Sequence, residues 1–357
     1  MRALALGLLL GLPALAPADT RFSPEEAGIL QSGLIATADE FILPGYQAQA
    51  EAAAALTSAL ESYCANTAEI GPVHEAFAGT FLAWQRVSVI GTGPIMAAEG
   101  PMRVQLWPDP KGFAQRAIRS AIRAEDPALL APDGLAGRSV ALVNLTALED
   151  LLYGAMAPET YACDLATAIA AFQAALAAEI VIAWTPGSPF RTDFDAAAAG
   201  NATYASVDAL IRVLLSGAVV YADRLRKFKI LRGLGAAPGE ARPERTEAAQ
   251  SGLGLESIAV GFRALSELYQ TPNGLFDIAP DLGGSMEYYL LGETAASVAD
   301  SLSVQTATLT EIAAEDGPRA AEIRRYGELV LFHEDFLKVE FPGSLGLTAG
   351  FTAADGD

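Results

Sequence analysis

Ser23-Pro24-Glu25-Glu26, then apolar residues at Ile29, Leu30, Leu34, Ile35, Phe41 and Ile42, then Leu43-Pro44-Gly45-Tyr46, form the stretch on which the fold class turns. Ser as cap, Pro in the first turn and Glu three residues after the Ser make a strong helix start. The apolar spacing that follows lays one helical face against a core. Pro44-Gly45 predicts a kink or interruption before Ala-rich sequence carries the helix to about Tyr63. The same pattern predicts helices over 72–90, 112–124, 138–153, 163–183, 202–231, 254–270, 283–313 and 317–338. Gly91, Gly93, Pro94, Gly100, Pro101, Pro108 and Pro110 mark an irregular segment between the second and third helices. Long alternating strands rich in Val, Ile and Thr are missing. The fold class is therefore all-α, built from packed antiparallel helices. Thr185 to Gly200 and Arg232 to Gly252 read as loops, the second as a domain boundary that leaves bundles over 19–235 and 236–357. No repeat of 20–50 residues is visible.

The chain has 357 residues, with 23 basic against 43 acidic side chains, a formal charge of −20. An acidic surface repels nucleic acid and anionic membranes, so neither is an expected partner. Two histidines and two cysteines exclude a compact zinc site built from several such ligands. A hydrophobic share of 52% excludes intrinsic disorder.

Met1-Arg2, an apolar run from Ala3 to Leu15 and Ala16-Pro17-Ala18 are the parts of a secretory signal peptide over 1–18. No Cys follows the run to carry a lipid anchor, and the expected location is the periplasm. The apolar stretch Leu210 to Tyr221 is interrupted by Arg212 and falls short of the roughly 20 residues a bilayer span needs, so no transmembrane segment is expected. In an oxidising compartment Cys64 and Cys163 can pair, and a disulfide is preferred over two buried thiols. Their role is structural either way.

Three stretches could carry chemistry. In Asn144-Leu145-Thr146-Ala147-Leu148-Glu149-Asp150, helical spacing brings Thr146, Glu149 and Asp150 close together. A hydroxyl and two carboxylates suit a hard cation if other oxygens join them; an exposed polar strip is the plainer reading. In Arg103 to Gly112, Trp107-Pro108 makes a rigid apolar anchor, and Asp109 can cap the helix that starts near Lys111. The terminal Leu345 to Asp357 is expected to dock through Leu347 and Phe351, or to fray. His74-Glu75 and His333-Glu334-Asp335 do not make an H-E-x-x-H site and read as structural.

The order of Phe41-Ile42-Leu43-Pro44-Gly45-Tyr46, Trp84, Trp107-Pro108-Asp109, Ala147-Leu148-Glu149-Asp150-Leu151-Leu152-Tyr153-Gly154 and Leu345 to Asp357 resembles the imelysin family. Arg245-Thr246-Glu247 with Ser251-Gly252 also looks like that family's second half. The resemblance covers essentially the whole mature chain. It implies an exported protein of two packed helical bundles, with pseudo-duplication of the halves left open, linked to bacterial iron acquisition. It further implies a G-x-H-x-x-E motif at the junction of the halves, the source of a metallopeptidase description and of proposals of metal binding. Here Asn144 stands at the Gly position, Thr146 at the His position, and Glu149 is kept. Loss of the imidazole removes the best ligand for zinc and the motif's general base. The expectation is a non-enzymatic binding or accessory protein related to metal uptake. Its pocket would lie between the halves around Thr146, Glu149, Arg103 and Ser251, with Glu149 as the one metal-ligating candidate for a hard cation. The partner would be a metal ion, a small ligand, or a periplasmic or outer-membrane protein. The alternatives are a hydrolase that uses Glu149 with another base, and a structural interaction module with a decayed site.

Overall fold

A computed structural model describes residues 21–347; the signal-peptide reading of 1–18 and the tail from Thr348, including Phe351, lie outside them. No strand occurs among the described residues. The fold is an all-α bundle. Helix α1, Pro24–Thr37, opens on the predicted capping box: Ser23 N donates to Glu26 Oε2 at 2.8 Å and Glu26 N to Ser23 Oγ at 3.3 Å. Helical backbone continues through Pro44. A wide five-residue π-helical turn, Ala38–Ile42, leads straight into α2, Leu43–Cys64, and Pro44 sits in the first turn of α2, where a missing N–H does least harm. The device recurs near the other end, where the wide turn Phe336–Glu340 precedes Phe341-Pro342-Gly343.

The remaining long helices are α3 Gly71–Val87, α4 Phe113–Ala124, α5 Tyr161–Trp184, α6 Val207–Arg224, α7 Gly254–Tyr269, α8 Glu287–Ser303 and α9 Pro318–Asp335. Three expectations need correction. The stretch from Thr185 to Gly200 is not all loop but holds a helix, Pro189–Asp195, capped by Ser188. Its Arg191 is almost fully buried and pairs with Asp39 of the first wide turn at 2.7 Å and with Asp195 at 2.6 Å, an anchor between distant parts of the chain. The helix expected over 283–313 ends at Ser303, because Thr308 and Glu311 form a second capping box and start a new helix, Leu309–Glu315. The helix expected over 138–153 is interrupted at Asn144, which leaves the helical conformation and caps a new helix.

Helix α2 packs against α3 and α5, α7 against α8 and α3, and α6 against α9. Helices before and after residue 235 thus pack on each other, and the buried apolar side chains form one cluster from Phe22 to Leu347. Each fully buried Leu or Phe in it contributes roughly 1.5–3 kcal/mol. Among the described residues α5 is the one helix long and apolar enough, by length and composition, to cross a membrane. Here it lies along α2 and buries Leu165, Ile169 and Trp184 in the core. Cys64 at the end of α2 and Cys163 in the first turn of α5 are joined by a disulfide across 99 positions.

His333 on α9 lies in this core, stacked on Tyr269 at 5.7 Å between ring centroids, with Nδ1 3.2 Å from the Tyr269 hydroxyl. Burial pushes its pKa down to about 4 from the ordinary 6.5. Between those values the unfolded chain takes up a proton that the folded chain refuses, so stability is lost as pH falls from 6.5 towards 4. The full shift corresponds to about 3 kcal/mol. Glu340 acts in the opposite sense: its hydrogen bond with Glu287 raises it to about 7, which favours the folded state below that pH. Comparing wild type with His333→Gln isolates the histidine. Urea denaturation at pH 7 and pH 4.5 should show the wild type losing more stability than the variant; equal losses would contradict a neutral buried imidazole.

Candidate functional site: a buried ring and the cleft above it

The short helix Leu145–Asp150 owes its position to Asn144. Asn144 leaves the helical conformation (φ −105°, ψ 167°), accepts from Ala147 N at 3.1 Å and donates to Val140 O at 2.6 Å, so it breaks one helix and caps the next. Thr146, Glu149 and Asp150 are then held by different groups. Thr146 Oγ1 donates to Leu106 O at 3.2 Å, on the segment that leads to Trp107. Glu149 Oε1 accepts from both Ser251 N, at 2.8 Å, and Ser251 Oγ, at 2.7 Å. Asp150 Oδ1 accepts from Gln250 Nε2 at 2.5 Å. Two neighbouring carboxylates therefore clasp two neighbouring residues of one loop. Burial raises the Glu149 carboxyl despite the two Ser251 bonds, and raises Asp150 as well.

Asp109 Oδ2 caps α4 through Ala114 N at 2.8 Å. Trp107 lies under the Arg232 guanidinium at 5.6 Å, and its carbonyl accepts from Arg224 Nη2 at 2.8 Å. Arg103 donates to Arg138 O at 3.3 Å and covers the Phe172 ring.

A heavily bonded buried polar centre lies elsewhere, on residues of which only Gln105 and Glu247 stand in stretches singled out from the sequence. Lys229, in the wide turn Leu225–Ile230 that extends α6, places its Nζ 2.6 and 2.9 Å from the two oxygens of Glu247, 2.6 Å from Gln85 Oε1 and 2.8 Å from Ser257 Oγ. Ser257 Oγ donates in turn to Glu247 Oε2 at 2.6 Å. Gln85 Nε2 donates to Gln105 Oε1 at 3.1 Å, and Gln105 Nε2 donates to Glu247 Oε1 at 2.8 Å. The bonds form a closed ring, Lys229 to Gln85 to Gln105 to Glu247 and back, which fixes the orientation of both amides. All five side chains are buried. Burial lowers the Lys229 pKa, an effect Glu247 offsets only in part. A detectable signal was present in the sequence: Lys229 and Ser257 sit at core-facing positions of apolar helices, where a polar residue needs a partner.

The ring forms part of the wall of a cleft of about 440 Å³, with Lys229, Gln85 and Gln105 on one side and Trp84, Ile95 and Tyr221 among its apolar walls. The residues lining it all precede residue 235. One wall depends on glycine: a Cβ on Gly217 would come within 3.0 Å of the backbone nitrogen of Gly91, so α6 and the Gly91 turn approach through two bare backbones.

The imelysin family model, which carries the label of a peptidase family, matches residues 42–323. The chain belongs to the imelysin family. The fold is similar to the crystal structure of an imelysin-like protein from Psychrobacter arcticum, with a TM-score of 0.71 at 17% identity over 91% of this chain and 98% of that one. No curated protein matches the chain.

The residues at the motif position do not fit a transition-metal centre. The Thr146 hydroxyl is directed at a backbone carbonyl, and Glu149 Oε1 already accepts two hydrogen bonds. Among the described residues no group of three or more His, Cys, Asp or Glu is placed to hold an ion.

Breaking the ring should leave one buried charge alone. Lys229→Met or Glu247→Leu is each expected to cost about 3–5 kcal/mol, whereas the double variant should cost clearly less than their sum. Denaturant midpoints of the four proteins test this, and strict additivity would show that the pair is not coupled.

Proposed function

We propose that this imelysin-family protein is an exported, periplasmic binding or accessory protein without peptidase chemistry, tied to metal uptake as the family resemblance implies. The observation that carries the reading is the Glu149–Ser251 clasp. A base or metal centre of this motif needs its histidine to share the work, and Glu149 Oε1 is already engaged by two Ser251 donors. Here Thr146 stands in the histidine's place and Glu149 joins the short helix to the 246–253 loop. Both support a fixed structural joint. The link to metal uptake then runs through an organic ligand or a protein partner rather than through an ion seated on Glu149.

Hydrolysis of a peptide library is the direct check: no turnover is expected, and turnover abolished by Glu149→Gln in a folded protein would overturn the reading. Calorimetric titration with ferrous, ferric, calcium, copper and zinc ions should show no binding that Glu149→Gln removes.

The joint also predicts an order of stabilities. Glu149→Gln keeps an acceptor for Ser251 and should change stability by less than about 1 kcal/mol, whereas Glu149→Ala leaves the Ser251 donors unmet and should cost about 1–3 kcal/mol. Thermal melts of both variants check this. A stabilised Glu149→Ala would instead indicate a polar site held at a cost to the fold.

A further inference from the structure

We propose that the cleft over the Lys229 ring binds an amphipathic organic anion, an apolar body carrying one carboxylate, with Arg224 as its counter-ion. This deepens the binding-protein reading by naming a ligand class, and its test uses neither hydrolysis nor metal, so either can fail alone.

Charge is the first argument. The chain carries 43 acidic side chains against 23 basic ones, yet no carboxylate among the described residues lines the cleft. Its charged residues are Arg224 and Lys229. Lys229 is neutralised by Glu247, with all its ammonium donors engaged inside the ring. Arg224 is exposed, at the end of α6. Its Nη2 bonds only a neutral acceptor, the Trp107 carbonyl, and among the described residues no acidic side chain lies within ion-pair distance of it. Arg232, above the same Trp107, adds positive charge nearby, and Arg245 lies close enough to help lower the pKa of Arg232. A local excess of cations on a strongly acidic protein favours an anion and disfavours a cation.

Apolar surface is the second argument. Met96, Met102, Val213 and Val220 all line the cleft and all stand exposed at 36% or more. Exposed large apolar side chains converging on one concavity mark a binding site more often than scattered ones do, and unbranched methionines adapt their shape to what they cover. The volume, about 440 Å³, falls in the range of small-molecule sites. Buried amides and hydroxyls beneath, satisfied within the ring, leave a floor that does not demand a polar partner. The ligand's apolar body would lie along Trp84 and Val220, with its carboxylate at Arg224.

The probe is N-phenyl-1-naphthylamine, whose fluorescence rises in apolar sites, displaced at pH 7.5 by decanoate, 1-decanol or decylammonium. Saturable probe binding is expected. Decanoate should displace it about tenfold more effectively than decanol, the scale of one charge-assisted hydrogen bond at a half-open site, with decylammonium weakest. Arg224→Gln should bring decanoate to parity with decanol and leave decanol unchanged. Val220→Glu, checked for fold by circular dichroism, should weaken all binding about tenfold or more, with Met102→Glu as the substitute if it does not fold. The proposal is overturned by absent saturable binding, by decylammonium matching decanoate, by a decanoate preference that survives Arg224→Gln, or by rim variants that bind normally.

Discussion

Lys229 is a cation almost wholly withdrawn from water, and five parts of the chain are arranged around that fact. An isolated buried ammonium would cost many kcal/mol, so the fold must supply a carboxylate and enough acceptors to saturate it. Glu247 comes from the loop after residue 235, Gln85 from α3, Gln105 from the end of the Gly100–Val104 helix and Ser257 from α7. Each of these elements can move only by opening the ring. Four residues further along the Glu247 loop, Ser251 takes hold of Glu149, so the position of the motif helix follows from the same seam.

The same seam sets the surroundings of Glu149. A catalytic carboxylate sits in tension between burial, which raises its pKa, and the need to reach solvent or substrate. Glu149 has the burial, and one of its two oxygens accepts from the Ser251 backbone and hydroxyl on the neighbouring loop. With the Thr146 hydroxyl on the Leu106 carbonyl, these bonds tie the short helix to two other segments of the chain. The cleft that shares Gln85, Gln105 and Lys229 with the ring has a different character: apolar walls, a neutralised polar side and Arg224 among its lining.

Much of the fold was legible from local rules. The box at Ser23–Glu26, the apolar spacing of the helices and the glycine-rich segment before residue 112 report on contacts within a few residues, which is where helix physics operates. The breaks at Asn144 and Thr308 were legible in principle, since both are capping residues, but in a long apolar stretch a cap looks like one more tolerated polar residue. The buried Arg191 anchor and the Lys229 ring were not legible. Arg191 finds Asp39 across more than a hundred positions, and Lys229 meets Gln85 across a separation of 144. No spacing rule spans such a distance. Ser251 and Glu247 share one loop, but the bond from Glu247 to Lys229 depends on how the wide turn after α6 meets that loop, which no local pattern reports.

The central claim is that one buried ring ties these five segments into a single cooperative unit. Amide hydrogen exchange followed by mass spectrometry measures that directly. Peptides covering 80–90, 100–106, 225–232, 246–253 and 254–260 should exchange with one shared opening free energy, and Glu247→Gln should accelerate them together. Independent, much faster opening of 246–253 in the wild type, or acceleration confined to that loop in the variant, would contradict the account.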